Sequence, residues 1–324
     1  MLPEYTLSDD LSLLASALAV VFALWIDKCL GEPRRFHPLV GFGYLVKRIE
    51  TFCRSISFLS EEQQGLFAWL LAVVPLVIGT EYLVVFALEL NIVFWFVLNV
   101  VILYLTIGGR SLIQHADNIY QPLKVGDIEG ARYQVSMIVS RNTEKMEVKD
   151  ITSSAIESVL ENGNDAVFAP MIWFLILGAP GAVLLRLANT LDAMWGYKNE
   201  KYINFGFISA KVDDFLGWLP ARATALAYAF QGDFSNAITC WRTQAKECSS
   251  PNGGVVMTSG AGALNVTIGG PTYYHGVLHD KKTMGTGEYA NADSIPAANK
   301  LVERGSFMLS YLWLAFACVI VGVI

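Results

Sequence analysis

The sequence predicts a mostly α-helical, polytopic membrane protein, on the evidence of its composition, its apolar runs and its weak strand signals. Of its 324 residues, 54% are hydrophobic. The mean hydropathy is +0.44, which is too apolar for a soluble globular protein. Strand-like patterning is confined to one short run, "NVTIGG" at 265–270. The net charge of −6 and the scattered Lys and Arg residues argue against a nucleic-acid partner.

Four apolar runs are long enough to be predicted as membrane spans, which makes the lipid bilayer a partner. They lie at about 11–26, 66–88, 92–109 and 307–324. No Lys or Arg precedes the first run, so it lacks the basic segment of a cleaved signal peptide. Lys and Arg are frequent in loop 27–65, which places that loop in the cytoplasm and the N-terminus outside. We expect a multi-pass protein of the cell (inner) membrane.

A further apolar run, 167–187, is interrupted by "GAPG" at 178–181, which is a helix stop followed by a turn. Each half is about ten residues or roughly 15 Å long, about half of a hydrocarbon core of about 30 Å. One full span here would move the basic residues that follow to the outside. We therefore predict a re-entrant helical hairpin, which keeps segments 110–166 and 188–306 cytoplasmic.

The cytoplasmic segments are predicted to contain helices. One is expected at 127–139 with Asp127 as its N-cap, and an amphipathic one at 148–160. No internal repeat or low-complexity linker divides the chain, so residues 1–324 are treated as a single membrane domain.

Three acidic residues come directly before the interrupted apolar run. Glu157, Glu161 and Asp165 are spaced by four and share one side if the helix continues. They form either a solvated acidic face or a site for a hard cation such as Mg²⁺, which binds one or two carboxylates together with phosphate oxygens.

A second polar set lies within an apolar segment. Arg186, Asn189 and Asp192 share a helical stripe there. Ionisable residues at membrane depth face a protein interior or a wet cavity, so they are functional candidates. The alternative is a buried ion pair that only ties helices together.

A third set, Lys211, Asp213, Asp214 and Arg222, combines cations suited to phosphate with carboxylates suited to magnesium. An ordinary charge set beside a membrane has the same composition, and spacing alone does not separate the two interpretations.

Several motifs in this order resemble the CobD/CbiB family of cobalamin biosynthesis, the membrane adenosylcobinamide-phosphate synthases. The resemblance covers about 250 residues from the first span onward. The motifs are "DxxxGEPxRxHP" at 27–38, "GDxxxAR" at 126–132, "SRNT" at 140–143, "AIESxxENxxD" at 155–165, "NTLDxMxGY" at 189–197, "DDxxxxxPARxTA" at 213–225 and "SPNxG" at 250–254. The chain departs from the family pattern at Asn142, Gly217 and Met257.

The resemblance implies ATP-dependent amide bond formation between adenosylcobyric acid and (R)-1-amino-2-propanol phosphate. A carboxylate and an ammonium do not condense in water without activation, so ATP and Mg²⁺ are the implied cofactors and the corrinoid is a substrate. Other cobalamin-assembly enzymes are possible partners. Two alternatives remain open: a non-catalytic membrane sensor or scaffold related to the family, and a transporter, for which an internal repeat would be expected.

The roles that follow from the resemblance fall into three groups. The candidates for catalysis are Glu157, Glu161, Asp192 and His37. The candidates for substrate and phosphate binding are Arg141, Lys211, Arg222, Asn189 and Asn252. The candidates for metal binding are Asp165, Asp213 and Asp214.

Overall fold

A computed structural model describes residues 9–33, 37–139, 142–270, 272–274, 277–279 and 282–322 of the chain. Most of these residues are helical, as predicted. The helices are α1 Asp9–Leu30, α2 Pro38–Arg54, α3 Glu61–Leu90, α4 Ile92–Thr106, α5 Gly109–Lys124, α6 Ile128–Ser136, α7 Val148–Gly163, α8 Ala169–Trp195, α9 Phe207–Gln231, α10 Phe234–Gln244, α11 Gly253–Leu264 and α12 Ser294–Val321. A π-helix, Asn164–Phe168, joins α7 to α8, and a 3₁₀ turn, Ala245–Glu247, follows α10.

Five helical segments of the described chain are long and apolar enough to cross a membrane. They are Leu11–Leu30, Glu61–Leu90, Ile92–Lys124, Val148–Trp195 and Ser294–Val321. Four correspond to the four predicted spans, and the fifth contains the predicted hairpin. The chain is therefore a polytopic helical membrane protein. The helical segments are longer than the apolar runs from which the spans are predicted.

The chain divides into two compact units. The first comprises the described residues of Met1–Gly108, Ala169–Gly217 and Ser310–Ile324. The second comprises those of Gly109–Phe168 and Trp218–Leu309. The absence of a linker predicts a single membrane domain, and that stays a prediction. Each unit is assembled from separate stretches of the chain, which local sequence patterns do not reveal.

The helix break predicted in the interrupted apolar run is present in the first unit. Gly178 has φ 67° and ψ −160°, a conformation that favours glycine, and it separates two helical parts of α8. A Cβ atom on Gly181 would collide with the carbonyl oxygen of Trp173, eight residues earlier. A straight helix would separate these two residues by about 12 Å, so the chain turns sharply at Gly178. The re-entrant position of this turn in a bilayer stays a prediction.

The second unit contains more strand than the sequence indicates. The predicted run forms β1 Val266–Gly269, which pairs antiparallel with β4 Thr283–Gly285 and parallel with β5 Glu288–Tyr289. A separate antiparallel pair joins β2 Thr272–Tyr274 to β3 Val277–His279. These strands have only two to four residues, too few for an alternating pattern to be visible.

Local capping in the second unit follows the sequence prediction. Asp127 is the N-cap of α6, where its side chain accepts a hydrogen bond from the Gly130 N–H at 2.9 Å. The helix predicted at 148–160 is α7. In both cases the signal is local, a capping residue or an apolar periodicity, and needs no distant partner.

A buried carboxylate on α2 organises the first unit. Glu50 is 7% exposed. Its Oε1 forms ion pairs with Arg54 Nε and Lys201 Nζ, each at 3.0 Å. Its Oε2 accepts hydrogen bonds from Trp195 Nε1 at 3.2 Å and from the Tyr202 hydroxyl at 3.4 Å. Glu50 therefore holds the C-terminal end of α8 and the segment that leads to α9.

Arg54 extends this network. Its NH2 group donates to the Lys201 carbonyl at 2.8 Å, and its guanidinium lies 4.1 Å from the ring centroid of Phe205. The Phe205 ring in turn meets Trp195 edge to face at 5.0 Å. We name Glu50, Arg54, Trp195, Lys201 and Tyr202 the Glu50 cluster.

We predict that Glu50→Gln destabilises the protein by about 1 to 3 kcal/mol at neutral pH, because the buried Trp195 N–H and the three other donors lose a charged acceptor. Burial raises the pKa of Glu50, but the hydrogen bonds and charges of Lys201 and Arg54 outweigh burial and hold that pKa below its usual value. The stabilisation is therefore full above pH 4.5, the ordinary pKa of a glutamate, and is lost as the pH falls through the lower folded-state value.

The measurement is thermal unfolding in detergent at several pH values, with the exposed Glu62→Gln as the control. The difference between wild type and Glu50→Gln should shrink as the pH falls below 4.5. Equal unfolding midpoints for Glu50→Gln and wild type at neutral pH would contradict this account.

Candidate functional site

The acidic stripe, formed by Glu157, Glu161 and Asp165, is connected by hydrogen bonds to the small sheet of the second unit. Glu157 is 8% exposed, and its Oε1 accepts a hydrogen bond from Ser153 Oγ at 2.9 Å. Ser153 Oγ also accepts from the Gly269 N–H at 2.5 Å. A solvated acidic face does not explain a carboxylate that is this deeply buried and held through a second residue.

The stripe changes helical geometry at its end. The predicted alignment of Asp165 with Glu157 and Glu161 assumes that the α-helix continues, but the chain becomes a π-helix at Asn164. Asn164 Nδ2 donates to Asp165 Oδ1 at 2.8 Å, and Asn164 Oδ1 accepts from Thr224 Oγ1 at 2.9 Å. Short π-helical turns occur frequently at functional sites, and here the turn sets the orientation of Asp165.

Three predicted site residues from three different motifs meet at the turn before α11. Asn252 Oδ1 accepts from Arg222 NH1 at 2.7 Å. Ser250 Oγ accepts from the Gly253 N–H at 2.9 Å and so closes the turn. A Cβ atom on Gly253 would collide with Glu161 Oε1, so only glycine leaves room for that carboxylate. Glu161, Arg222 and Asn252 thus lie around one turn.

The Arg222 guanidinium is fixed in place. Besides Asn252, it donates to the carbonyls of Trp218 at 3.0 Å and Pro251 at 3.3 Å, and it lies 4.7 Å from the Trp218 ring centroid. Burial lowers the pKa of Arg222, and an arginine remains charged at neutral pH. These three bonds use three of its five N–H donors. Within the described residues, two donors are left for a ligand.

The first unit contains a second polar cluster. Asn189 Nδ2 donates to Asp213 Oδ1 at 3.4 Å. The Asp214 carboxylate lies close enough to Asp192 to interact with it electrostatically. A side chain on Gly196 would collide with Asp192 Oδ1. The motifs "NTLDxMxGY" and "DDxxxxxPARxTA" therefore supply neighbouring carboxylates, with a glycine that leaves space for one of them.

The remaining candidates are less enclosed. Lys211 is exposed, with its Nζ 5.8 Å from the Phe207 ring centroid. His37 is the N-cap of α2, and its Nδ1 accepts from the Leu39 N–H at 3.2 Å. This bond gives His37 a capping role and leaves its Nε2 for other contacts. Arg141 lies outside the described residues.

The carboxylates of these clusters were compared with the ligand set that magnesium requires. In the part of the chain that the structure describes, no three His, Cys, Asp or Glu side chains converge on one metal position. Magnesium typically takes one or two carboxylates and completes its shell with water and phosphate oxygens. The neighbouring Asp192 and Asp214 suit such an ion, and a cage made of protein atoms alone is not required.

Several residues that support the site are not among those indicated by the sequence motifs. Ser153 lies one helical turn before Glu157, so its spacing was a usable signal. Thr224 and Glu50 act on residues that are distant in sequence, and no local pattern indicates such contacts. Among the departures from the family pattern, Asn142 Oδ1 accepts from the Glu144 N–H at 2.9 Å, and Met257 is buried in α11.

The fold and the two clusters together define a class: a polytopic helical membrane protein that carries acidic and amide side chains on and beside apolar helices. Comparison with known proteins identifies the family within this class. The family described as "CobD/Cbib protein" matches residues 20–302. The chain belongs to this CobD/CbiB family.

Individual relatives match over nearly their whole length. The cobalamin biosynthesis protein CobD of Chromobacterium violaceum is 46% identical over 309 residues, which cover 95% of this chain and 99% of the relative. The protein of the same name from Stutzerimonas stutzeri is 46% identical over 288 residues, covering 89% and 93%. That of Clostridium perfringens is 32% identical over 310 residues, covering 94% and 98%. No solved structure matches this chain.

Proposed function

We propose that this chain acts in cobalamin (vitamin B12) biosynthesis as the ligase that makes adenosylcobinamide phosphate. The relatives that match nearly the whole chain are named cobalamin biosynthesis protein CobD, which supports the pathway. The observation that carries the ligase is the convergence of Glu161, Arg222 and Asn252, each from a different motif, around one turn. A carboxylate beside a fixed guanidinium suits proton transfer next to a bound phosphate.

The reaction joins a corrinoid carboxylate to the amine of (R)-1-amino-2-propanol phosphate. Transfer of the γ-phosphoryl group of ATP to the carboxylate gives an acyl phosphate and ADP. The amine, after loss of a proton, attacks the acyl carbon, and inorganic phosphate leaves with the C–O bonding electrons. Magnesium, when bound, neutralises charge on the phosphates.

The residues of the chain have different roles in this reaction, according to their chemistry. The two remaining donors of Arg222 form hydrogen bonds to phosphate oxygens, and Asn252 holds the guanidinium in the orientation that this requires. Glu157 and Glu161 are the carboxylates suited to accept the ammonium proton. Asp165 in the second unit and Asp192, Asp213 and Asp214 in the first are suited to magnesium.

The function is tested by growth of a strain that lacks its own synthase and depends on cobalamin. With cobyric acid supplied, the chain should restore growth, and a Glu161→Gln variant should not. The exposed Glu144→Gln serves as the matched control and should behave as wild type. With cobinamide supplied, all strains should grow, because the amide is already present. If the wild-type protein is found in the membrane but growth on cobyric acid fails, a non-catalytic sensor or scaffold is the better account.

The orientation that we propose has the N-terminus outside and the reaction on the cytoplasmic side of the inner membrane, because Lys and Arg concentrate in loop 27–65. In a variant whose only cysteine is Cys248, a membrane-impermeant maleimide should react only after permeabilisation. A matched variant with Glu89→Cys, at the exposed C-terminal end of α3, should react in intact cells. Labelling of Cys248 from outside would overturn this orientation and the hairpin on which it depends.

A further inference from the structure

A cavity in the second unit lies beside the turn that gathers Glu161, Arg222 and Asn252. Its volume is about 840 Å³. Its walls come from α9, α10, the 3₁₀ turn and the turn before α11. Sites of about 300 to 1,000 Å³ hold ligands of drug size, so the cavity is much larger than a single phosphate group requires.

The charged side chains that line the cavity, among the described residues, are all cations. Three cations, Arg222, Arg242 and Lys246, line it, and none of the described residues in its walls is acidic. Arg242 lies in the last turn of α10, and Lys246, four residues later, lies in the 3₁₀ turn that follows it. In a chain with a net charge of −6, such a concentration of cations selects for a polyanion.

One wall is apolar and contains an aromatic side chain. Trp241 lines the cavity together with Leu226 and Val255. Trp241 packs against the buried residues Ala225, Ala245 and Val255, which restrict its movement. A restrained indole offers a flat surface on which a heteroaromatic ring stacks. A small phosphorylated amino alcohol would leave this wall uncovered.

We propose that this cavity binds a nucleoside triphosphate, with its base on the Trp241 wall and its polyphosphate on Arg222, Arg242 and Lys246. No motif in the sequence indicates this site, since the common phosphate-binding loop "GxxxxGK[ST]" is absent from the chain. The choice of ATP as the triphosphate rests on the proposed function. Arg222 also binds the turn that contacts Glu161, so a polyphosphate on Arg222 ends beside the acidic stripe.

The test is equilibrium binding of radiolabelled ATP with Mg²⁺ to the purified full-length protein in detergent. The double variant Arg242→Gln/Lys246→Gln should lower the affinity about tenfold or more, because the two charge-assisted phosphate contacts that are lost are together expected to cost at least the 1.4 kcal/mol that corresponds to a factor of ten. Trp241→Leu should lower it several-fold, and the exposed Lys145→Gln is the matched control without effect. Unfolding midpoints close to that of wild type establish that each variant is folded.

Competition identifies the ligand class. Unlabelled ATP should displace the label, and (R)-1-amino-2-propanol phosphate should not displace it at equal concentration. If the double variant and Trp241→Leu both bind ATP as wild type does, the assignment is wrong. It is also wrong if the amino-alcohol phosphate binds here and ATP does not.

The binding assay separates this inference from the proposed function. Binding that depends on Trp241, Arg242 and Lys246 in a protein that forms no amide would support the nucleotide site and refute the ligase. Restored growth on cobyric acid combined with unchanged ATP affinity in the variants would support the ligase and refute the site.

Discussion

Carboxylates that lie on and beside apolar helices, some of them buried, constrain the structure around them. An isolated buried charge is strongly unfavourable, so each acidic side chain needs hydrogen bonds, a cation or both. The structure supplies neutral donors first: Ser153 for Glu157, Asn164 for Asp165 and Asn189 for Asp213. Amide and hydroxyl donors hold these carboxylates in position, and a carboxylate can bind a metal ion or accept a proton.

The backbone conformation also makes room for the carboxylates and orients them. Gly178 turns the chain within α8, and Gly196 and Gly253 leave space for the carboxylates of Asp192 and Glu161. The π-helix at Asn164 alters the direction of Asp165. In the first unit the Glu50 cluster fixes Trp195, only three residues beyond Asp192. The positions of the acids are therefore determined by local backbone geometry and by one ion-pair network.

The sequence predicts those parts of the protein that rest on local signals. Apolar runs located the spans, and Asp127 marked the start of α6 because a cap acts within one turn. The break at Gly178 followed from "GAPG". The Glu50 cluster could not be predicted, since Glu50 and Trp195 are 145 positions apart. Nor could the cavity beside Arg222, because its cations look like ordinary surface charge until the fold brings them together.

We propose that these aspartates hold magnesium during amide formation, and the magnesium dependence of turnover distinguishes that role from a purely structural one. The purified protein is assayed for adenosylcobinamide phosphate with increasing Mg²⁺ at fixed ATP. Asp165→Asn in the second unit and Asp213→Asn in the first should each raise the magnesium concentration for half-maximal turnover, whereas the exposed Glu144→Gln should not. An unchanged magnesium dependence in both Asp165→Asn and Asp213→Asn would show that these carboxylates do not hold magnesium.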